Sequence, residues 1–363
     1  MRIKDYLHHS DRKLTENTRI LKDSRVFEFN YIPEDPIMRE EVKPIVDALL
    51  KFEKTGIPNN LIVYGARGCG KTLTIKYLQN LLEEKTGLTI LYSNCRHLNT
   101  SYKIFANLIH TRARGLSLAE VFDQFCLKFK ERVVVVLDEV DLMSEKDKNR
   151  EILYLLSRHP NCYMVVLLSN NPKFLEELDS STKSTLQPER IHFKTYDAVQ
   201  ITEILQQRAR TGLQSHDRLS LHKISSLTYN NANSDIRVAI KTLYYWVTEP
   251  GNNITASFER ARKDIFIDLI QNLNDKNLLI LKALRHSHEG FVKPAYEVYK
   301  KLSIENRDKP YSYGYFYNNL SYLQSLGLIL LLTAKVQRVY TNRAQLLFDE
   351  TILDEVCRFR FGE

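Results

Sequence analysis

Two kinds of apolar pattern alternate along the chain up to about residue 195. Apolar runs without polar interruption, such as the one at 133–137, are typical of strands buried on both faces of a parallel sheet. Segments with the helical spacing of apolar residues lie between these runs. The pattern predicts strands at 61–64, 89–93, 132–138, 163–168 and 191–193. Five strands with intervening helices indicate a doubly wound α/β domain.

After residue 195 the strand pattern gives way to helices. Three helical patterns lie between 198 and 246, and a charged helix at about 258–273 leads into a third unit. These changes predict three domains, namely 1–195 (an α/β domain with an N-terminal extension), 196–262 (a helical domain) and 263–363 (a C-terminal domain).

The segment Gly65–Thr72, with the sequence GARGCGKT, matches the G-x-x-x-x-G-K-[ST] pattern of a phosphate-binding loop. An apolar run precedes it and a helical segment follows it, as such a loop requires. The glycines let successive backbone N–H groups wrap phosphate oxygens, and Lys71 would reach the β- and γ-phosphates. We therefore expect ATP or ADP to bind here. The residues predicted to contact the nucleotide are Gly65, Ala66, Arg67, Gly68, Cys69, Gly70, Lys71, Thr72 and Leu73.

Two acidic residues end the strand at 132–138. Asp138 lies at its carboxyl end, which in a parallel sheet is the edge where ligands bind. We expect Thr72 and Asp138 to hold Mg²⁺, and Glu139 to polarise the attacking water. Asn170, at the end of the next strand, would orient that water, and Arg237 on a later helix would reach the γ-phosphate. The predicted catalytic group is Asp138, Glu139, Asn170 and Arg237.

The composition restricts the classes of protein. The 363 residues carry a formal net charge of +8, which fits a polyanionic partner. The chain has no run of about eighteen apolar residues, and its start lacks the apolar core of a secretion signal, so we expect a cytoplasmic protein without a membrane partner. Five widely spaced cysteines without a C-x-x-C pair exclude a zinc or disulfide framework.

The C-terminal region predicts a winged helix, which has three helices followed by a two-stranded ribbon. The third helix, at 311–326, would present Tyr313, Phe316, Leu320 and Leu323 to the core. The opposite face of the helix is the candidate DNA-contacting surface. The alternative is that the winged helix contacts a protein instead of DNA. The residues predicted to contact DNA are Tyr311, Tyr315, Asn318 and Tyr322 on the helix, and Lys335, Arg338 and Arg343 on the ribbon.

Short motifs along essentially the whole chain resemble one known family. Outside the phosphate loop they are VFEFNYIP at 26–33, RE at 39–40, GIPNNLIVYG at 56–65, NCR at 94–96, LSN at 168–170 and SDIR at 234–237. They resemble the archaeal initiator ATPases related to the origin recognition complex and the cell division control loader.

The resemblance implies an AAA+ module, a helical lid and a C-terminal winged helix that binds origin DNA. It implies Asn170 as the first sensor and Arg237 as the second. Expected partners are double-stranded DNA at a replication origin, the replicative helicase and paralogous initiators, in the nucleoid. The residues that it implies beside adenine are Tyr31, Ile32 and Pro33, and those in a basic insertion that contacts DNA are Arg112 and Arg114.

One stretch departs from the family. Where relatives carry arginine after the first sensor, Asp179–Thr185 has Lys183 as its only cation. We therefore expect no arginine finger and slow turnover. The preferred reading is a weakly hydrolysing initiator ATPase. The alternatives are a nucleotide-bound regulator or repressor without loader activity, and a helicase-coupled or clamp-loading ATPase that touches DNA only through its charge.

Overall fold

A computed structural model describes residues 21–111, 115–144, 147, 150–249, 253–287, 290–336 and 339–362. The chain divides into two compact units. The sheet unit comprises the described residues of 34–194, and the helical unit comprises those of 1–33 and 195–363. The three-domain division stays a prediction.

The sheet unit is built around five parallel strands in the order β2-β3-β4-β1-β5. The predicted doubly wound α/β sheet is confirmed. Alternate residues of the third strand face two different cores, since Val133 and Val135 lie in one and Val134 and Val136 in the other. The strands are β1 (Leu61–Gly65), β2 (Thr89–Asn94), β3 (Val133–Asp138), β4 (Met164–Ser169) and β5 (Glu189–Phe193).

Helices cover both faces of this sheet and fill the two cores. Local sequence fixes where they begin, as in the fourth, where Ser117 and Glu120 form a reciprocal capping box. The helices are α1 (Val42–Thr55), α2 (Lys71–Thr86), α3 (Ser101–Leu108), α4 (Leu118–Lys128), α5 (Glu151–Arg158) and α6 (Ser180–Leu186).

The strand order brings three sequence motifs to one edge of the sheet. β4 lies between β3 and β1, so the residues that follow β1, β3 and β4 are neighbours at the carboxyl edge. The register places Tyr64 opposite Ser169, and Asn94 opposite Asp138. The phosphate loop, Asp138 and Asn170 therefore share one edge, as a parallel sheet requires.

The helical unit begins with four helices, of which the first and the third contact the N-terminal segment. Arg208, only 4% exposed, donates hydrogen bonds to the carbonyls of Val26 and Glu28 and so holds that segment in place. No helix that the structure describes in either unit is both long and apolar enough to span a membrane. The four helices are α7 (Ala198–Gly212), α8 (Arg218–Asn231), α9 (Ile236–Thr248) and α10 (Ile254–Gln271).

Three further helices and an antiparallel ribbon follow, in the arrangement of a winged helix. An additional bridge pairs Phe291 with Arg343, which attaches the ribbon to the start of the second of these helices. A last helix, which the sequence analysis did not predict, packs on α10 and on the first of these three helices. The elements are α11 (Asp275–His286), α12 (Val292–Glu305), α13 (Tyr313–Ser325), β6 (Ile329–Val336), β7 (Val339–Leu346) and α14 (Glu350–Phe361).

The third helix of this region corrects two expectations. It begins at Tyr313 after the cap Ser312, so Tyr311 precedes the helix instead of lying on its reading face. Tyr313 is 40% exposed, because residues 312–315 at the start of the helix are all exposed, and its ring makes a T-shaped contact with that of Tyr296. Phe316, Leu320 and Leu323 are buried as predicted.

Two glycines of this region provide a test of its packing. Gly290 has a φ of +71°, and a Cβ there would lie 2.3 Å from the carbonyl oxygen of Ala344. Gly290→Ala should therefore destabilise the unit by roughly 1–3 kcal/mol. Gly314, in α13, has open space around it, so Gly314→Ala should stabilise by about 0.5–1 kcal/mol. Chemical unfolding of both variants measures the difference, and equal effects would contradict the described ribbon attachment.

Candidate nucleotide site and nucleic-acid interface

The loop between β1 and α2 depends on glycine at three positions. Gly68 and Gly70 have φ values of 77° and 93°, a region that side chains rarely adopt, and they turn the backbone N–H groups of the loop toward a common centre. Gly65 approaches β5 so closely that a Cβ would lie 2.2 Å from the carbonyl oxygen of Phe193. The glycines therefore fix both the shape of the loop and its distance from the sheet.

Lys71 is buried at the start of α2, with 7% of its surface exposed. Its ammonium donates hydrogen bonds to the carbonyls of Gly65 (2.9 Å) and Ala66 (3.0 Å) and to Oδ1 of Asn170 (3.1 Å). The structure thus brings together two residues that are 99 positions apart and that the sequence assigned to one site. Phosphate oxygens in the loop would compete with these acceptors for the same cation.

Thr72 and Asp138 form the candidate magnesium ligands. The Thr72 hydroxyl donates to Oδ2 of Asp138 at 2.8 Å, so its proton is engaged and its oxygen lone pairs are available to a cation. Hydroxyl and carboxylate oxygens are the donors that Mg²⁺ prefers, and the pair fits that ion. Asp138 is 2% exposed, and burial raises the pKa of its carboxyl above the ordinary value.

Tyr92 on β2 is a member of this group that the sequence did not reveal. Its hydroxyl donates to Oδ2 of Asp138 at 2.6 Å. Burial and the negative charge of Asp138 both raise the pKa of the phenol. Tyr92 therefore keeps its proton and remains a hydrogen-bond donor. The register explains the contact, because Tyr92 lies opposite Val136 on the neighbouring strand β3.

Glu139 has a left-handed backbone, with a φ of 52°, and its carboxylate is held by Arg96. Nε and Nη2 of Arg96 donate to the two carboxylate oxygens at 2.8 and 3.1 Å. Burial alone would raise the pKa of Glu139, but the hydrogen bonds and charge of Arg96 outweigh it and lower the pKa. The structure therefore places Arg96 beside the predicted base.

Asn170 follows β4 and is fixed by Asp141, another residue that the sequence analysis missed. Its backbone N–H donates to Oδ1 of Asp141 at 3.0 Å, and the Ser169 hydroxyl donates to the same oxygen at 2.9 Å. Burial raises the pKa of Asp141. Asp141 thus orients the turn that presents the Asn170 side chain to Lys71.

Arg39 supports the phosphate loop from the other side and is 6% exposed. Its guanidinium donates at 2.7 Å to the carbonyl of Cys69 in the loop and at 2.7 Å to that of Lys194 after β5. The group also lies 5.1 Å from the ring centre of Phe193. One buried cation therefore ties the loop to the end of the edge strand.

The predicted second sensor and the predicted adenine contacts belong to the helical unit. Arg237, in the first turn of α9, pairs with Asp235, and its side chain is 15% exposed. In the segment Tyr31, Ile32 and Pro33, the Tyr31 carbonyl accepts a hydrogen bond from Arg208, whose guanidinium also lies 5.1 Å from the Tyr31 ring centre. Their assignments to nucleotide stay predictions.

The stretch without arginine forms α6. The Lys183 ammonium donates to the carbonyl of Glu176 at 2.9 Å, and the Thr185 hydroxyl lies 2.9 Å from that of Ser157. The one cation that the stretch retains is therefore bound to a neighbouring turn of its own unit.

The candidate DNA face of α13 is smaller than predicted. Tyr315 is 44% exposed and Asn318 is exposed, whereas Tyr322 and Tyr311 are half-buried and pack against the core. Arg343 on β7 is exposed. The remaining predicted contacts, namely Arg112, Arg114, Arg338 and the side chain of Lys335, lie outside the described residues.

Comparison with known families gives a match to the AAA domain model at residues 58–178. The chain is 34% identical over 209 residues to ORC1-type DNA replication protein 1 of Sulfurisphaera tokodaii, covering 53% of this chain and 52% of that protein. It is 26% identical to the ORC1-type DNA replication protein 1 of Archaeoglobus fulgidus, covering 94% and 91% of the two chains. The chain spans about half the length of the Sulfurisphaera relative and of a Thermococcus onnurineus relative.

Solved structures show the same fold. The Aeropyrum pernix ORC1 protein, solved in complex with DNA, has a TM-score of 0.67 at 22% identity and covers 94% of this chain and 97% of its own. The A. pernix ORC2 protein, solved as ADPNP–ADP complexes, has a TM-score of 0.62 at 21% identity, with 95% and 100% covered. These matches show that the chain shares the fold of the archaeal ORC1 and ORC2 proteins, and that its sequence is similar to those of ORC1-type DNA replication proteins.

Proposed function

We propose that the protein is a nucleotide-operated initiator that binds ATP or ADP with Mg²⁺, hydrolyses ATP slowly and binds double-stranded DNA at a replication origin. The observation that carries this proposal is the convergence of Lys71, Thr72, Asp138 and Asn170 through direct hydrogen bonds. Recruitment of the replicative helicase and contact with paralogous initiators extend the proposal, and only the similarity to ORC1-type replication proteins supports them.

The phosphate loop and the residues around it would each have a distinct role in nucleotide binding. Loop N–H groups and Lys71 would bind the phosphates, and Thr72 with Asp138 would hold Mg²⁺, which supplies charge neutralisation when bound. Arg39 keeps the loop in shape through the Cys69 carbonyl. Binding would draw the Lys71 ammonium from the loop carbonyls to the ligand, while Asn170 stays oriented by Asp141.

Hydrolysis would require Glu139 to act on water. In the described arrangement both of its carboxylate oxygens accept hydrogen bonds from Arg96, and its pKa is lowered. A carboxylate engaged in this way is a weaker base, because one acceptor direction on each oxygen is occupied and its proton affinity is reduced. Slow turnover follows unless Arg96 is drawn away.

The helical unit supplies the remaining elements of the proposal. We assign 196–262 as a lid, with Arg237 as the second sensor and Tyr31 to Pro33 as adenine contacts. We assign 263–363 as the DNA-binding domain, with Tyr315 and Asn318 as base readers and Arg343 as a phosphate contact. Arg112, Arg114, Lys335 and Arg338 would add phosphate contacts by their charge.

A second candidate function is a nucleotide-bound regulator or repressor at origins. It is favoured by the absence of arginine from 179–185 and by the binding of Lys183 to Glu176, which together leave this stretch without a guanidinium for a neighbouring subunit. Turnover measured with and without origin DNA separates the two functions. An initiator should hydrolyse ATP faster when origin DNA is present. A regulator should keep the same bound nucleotide with and without DNA.

Lys71→Ala should abolish nucleotide binding, because it removes the main side-chain cation of the loop. Glu139→Gln should keep binding and stop hydrolysis, since the residue acts on water and need not touch the ground-state phosphates. Binding of a fluorescent nucleotide and release of phosphate measure the two effects. Lys85→Ala, at the exposed end of the same helix, is the control. Wild-type affinity in Lys71→Ala would remove the site assignment.

Arg96→Gln should raise the pKa of Glu139 above its wild-type value, because burial would then act without the opposing charge of the guanidinium. A pH titration of the labelled Glu139 carboxyl carbon by NMR measures the change. Arg260→Gln breaks a comparable ion pair with Glu249 in the helical unit and should leave Glu139 unchanged. An unchanged Glu139 pKa in Arg96→Gln would show that the ion pair does not set its proton affinity.

Arg343→Ala should weaken binding to all duplexes alike. It should also reduce the slope of the logarithm of the binding constant against the logarithm of the salt concentration by about one, because one phosphate contact is lost. Asn318→Ala should instead cost roughly 1–3 kcal/mol at one base position. Competition binding on a panel of duplexes at several salt concentrations measures both, with Arg190→Ala on β5 as a charge-matched control. Uniform losses from Arg343→Ala and Asn318→Ala alike would exclude base reading by α13.

A further inference from the structure

Three of the hydrogen bonds described at the sheet edge are accepted by the carboxylate of Asp138. Oδ2 accepts from the hydroxyls of both Thr72 (2.8 Å) and Tyr92 (2.6 Å), and Oδ1 accepts from the backbone N–H of Glu139 (2.8 Å). A carboxylate offers about four acceptor directions, two on each oxygen. Among the residues that the structure describes, three are used, and the remaining direction is on Oδ1.

The Tyr92 hydroxyl is held in this position from two sides. The strand register fixes its backbone on β2 beside β3, and the ammonium of Lys76 lies 4.9 Å from its ring centre. Lys76 is four residues after Thr72 on α2, so the helix that supplies one donor to Asp138 also restrains the ring that supplies the other. The phenol is therefore a fixed part of the carboxylate's surroundings.

We propose that Tyr92 determines which divalent cation the nucleotide site accepts. By occupying the second direction of Oδ2, it leaves Asp138 able to meet a cation through one oxygen only, directly or through water. Mg²⁺ is satisfied by such single contacts because it keeps several of its waters, whereas Ca²⁺ gains from bidentate carboxylates and higher coordination numbers. Tyr92 therefore favours Mg²⁺ over Ca²⁺. This inference rests on the proposed nucleotide and Mg²⁺ site.

The test is the variant Tyr92→Phe, which keeps the ring and removes the hydroxyl. Affinity for a fluorescent ADP analogue is measured in EDTA, in Mg²⁺ and in Ca²⁺. The wild type should bind more tightly with Mg²⁺ than with Ca²⁺. In the variant the ratio of Mg²⁺ to Ca²⁺ affinities should fall about tenfold. This is the lower end of the effect expected when a residue that orients a metal ligand is removed. Affinity in EDTA should not change.

Tyr163→Phe is the matched control, because it also removes the hydroxyl of a buried tyrosine. Tyr163 lies just before β4, at the end of the strand opposite the carboxyl edge, and its hydroxyl donates to the carbonyl of Phe129 at 2.6 Å. This variant should leave the ratio of Mg²⁺ to Ca²⁺ affinities unchanged. An unchanged ratio in Tyr92→Phe would overturn the inference, and so would an equal change in both variants or a loss of affinity in EDTA. Failure of the wild type to bind nucleotide with Mg²⁺ would instead contradict the proposed function.

Discussion

Parallel pairing of β1 with both β4 and β5 is the constraint on which the rest of the site depends. It brings the end of β1 between the turn after β4 and the end of β5, so the loop that follows must pack closely against both. Gly65 is required by that approach, and Arg39 stabilises it by joining the Cys69 carbonyl to the Lys194 carbonyl. The phosphate loop is thus a consequence of strand order as much as of its own sequence.

Hydrogen bonds link several polar groups at this edge in a continuous series. Asp141 accepts from the backbone of Asn170, whose side chain accepts from Lys71, and Lys71 donates to the loop carbonyls. Buried polar groups without partners would cost on the order of 1–3 kcal/mol each, so such a series is the stable arrangement for residues this deeply placed. A ligand that enters the loop must therefore compete with existing hydrogen bonds.

The sheet and the phosphate loop could be predicted from the sequence because their signals are local. The uninterrupted valines before Asp138 and the glycines before Lys71 each indicate structure within ten residues. Two contacts could not be predicted in this way, namely those of Tyr92 with Asp138 and of Arg96 with Glu139. The partners are 46 and 43 residues apart in the sequence, and the pairing of β2 with β3 brings them together. Tyr313 was assigned to the core by helical period alone, which does not show where the core ends along the helix.

The strand that supports the phosphate loop also has an open side. Among the strands that the structure describes, β5 pairs with β1 alone, and it carries exposed Glu189, Arg190 and His192 while Ile191 and Phe193 face the core. Charged residues along an unpaired edge make the addition of a further strand unfavourable, because their solvation would be lost. The edge strand that holds the loop in place therefore also protects the sheet against edge-to-edge aggregation.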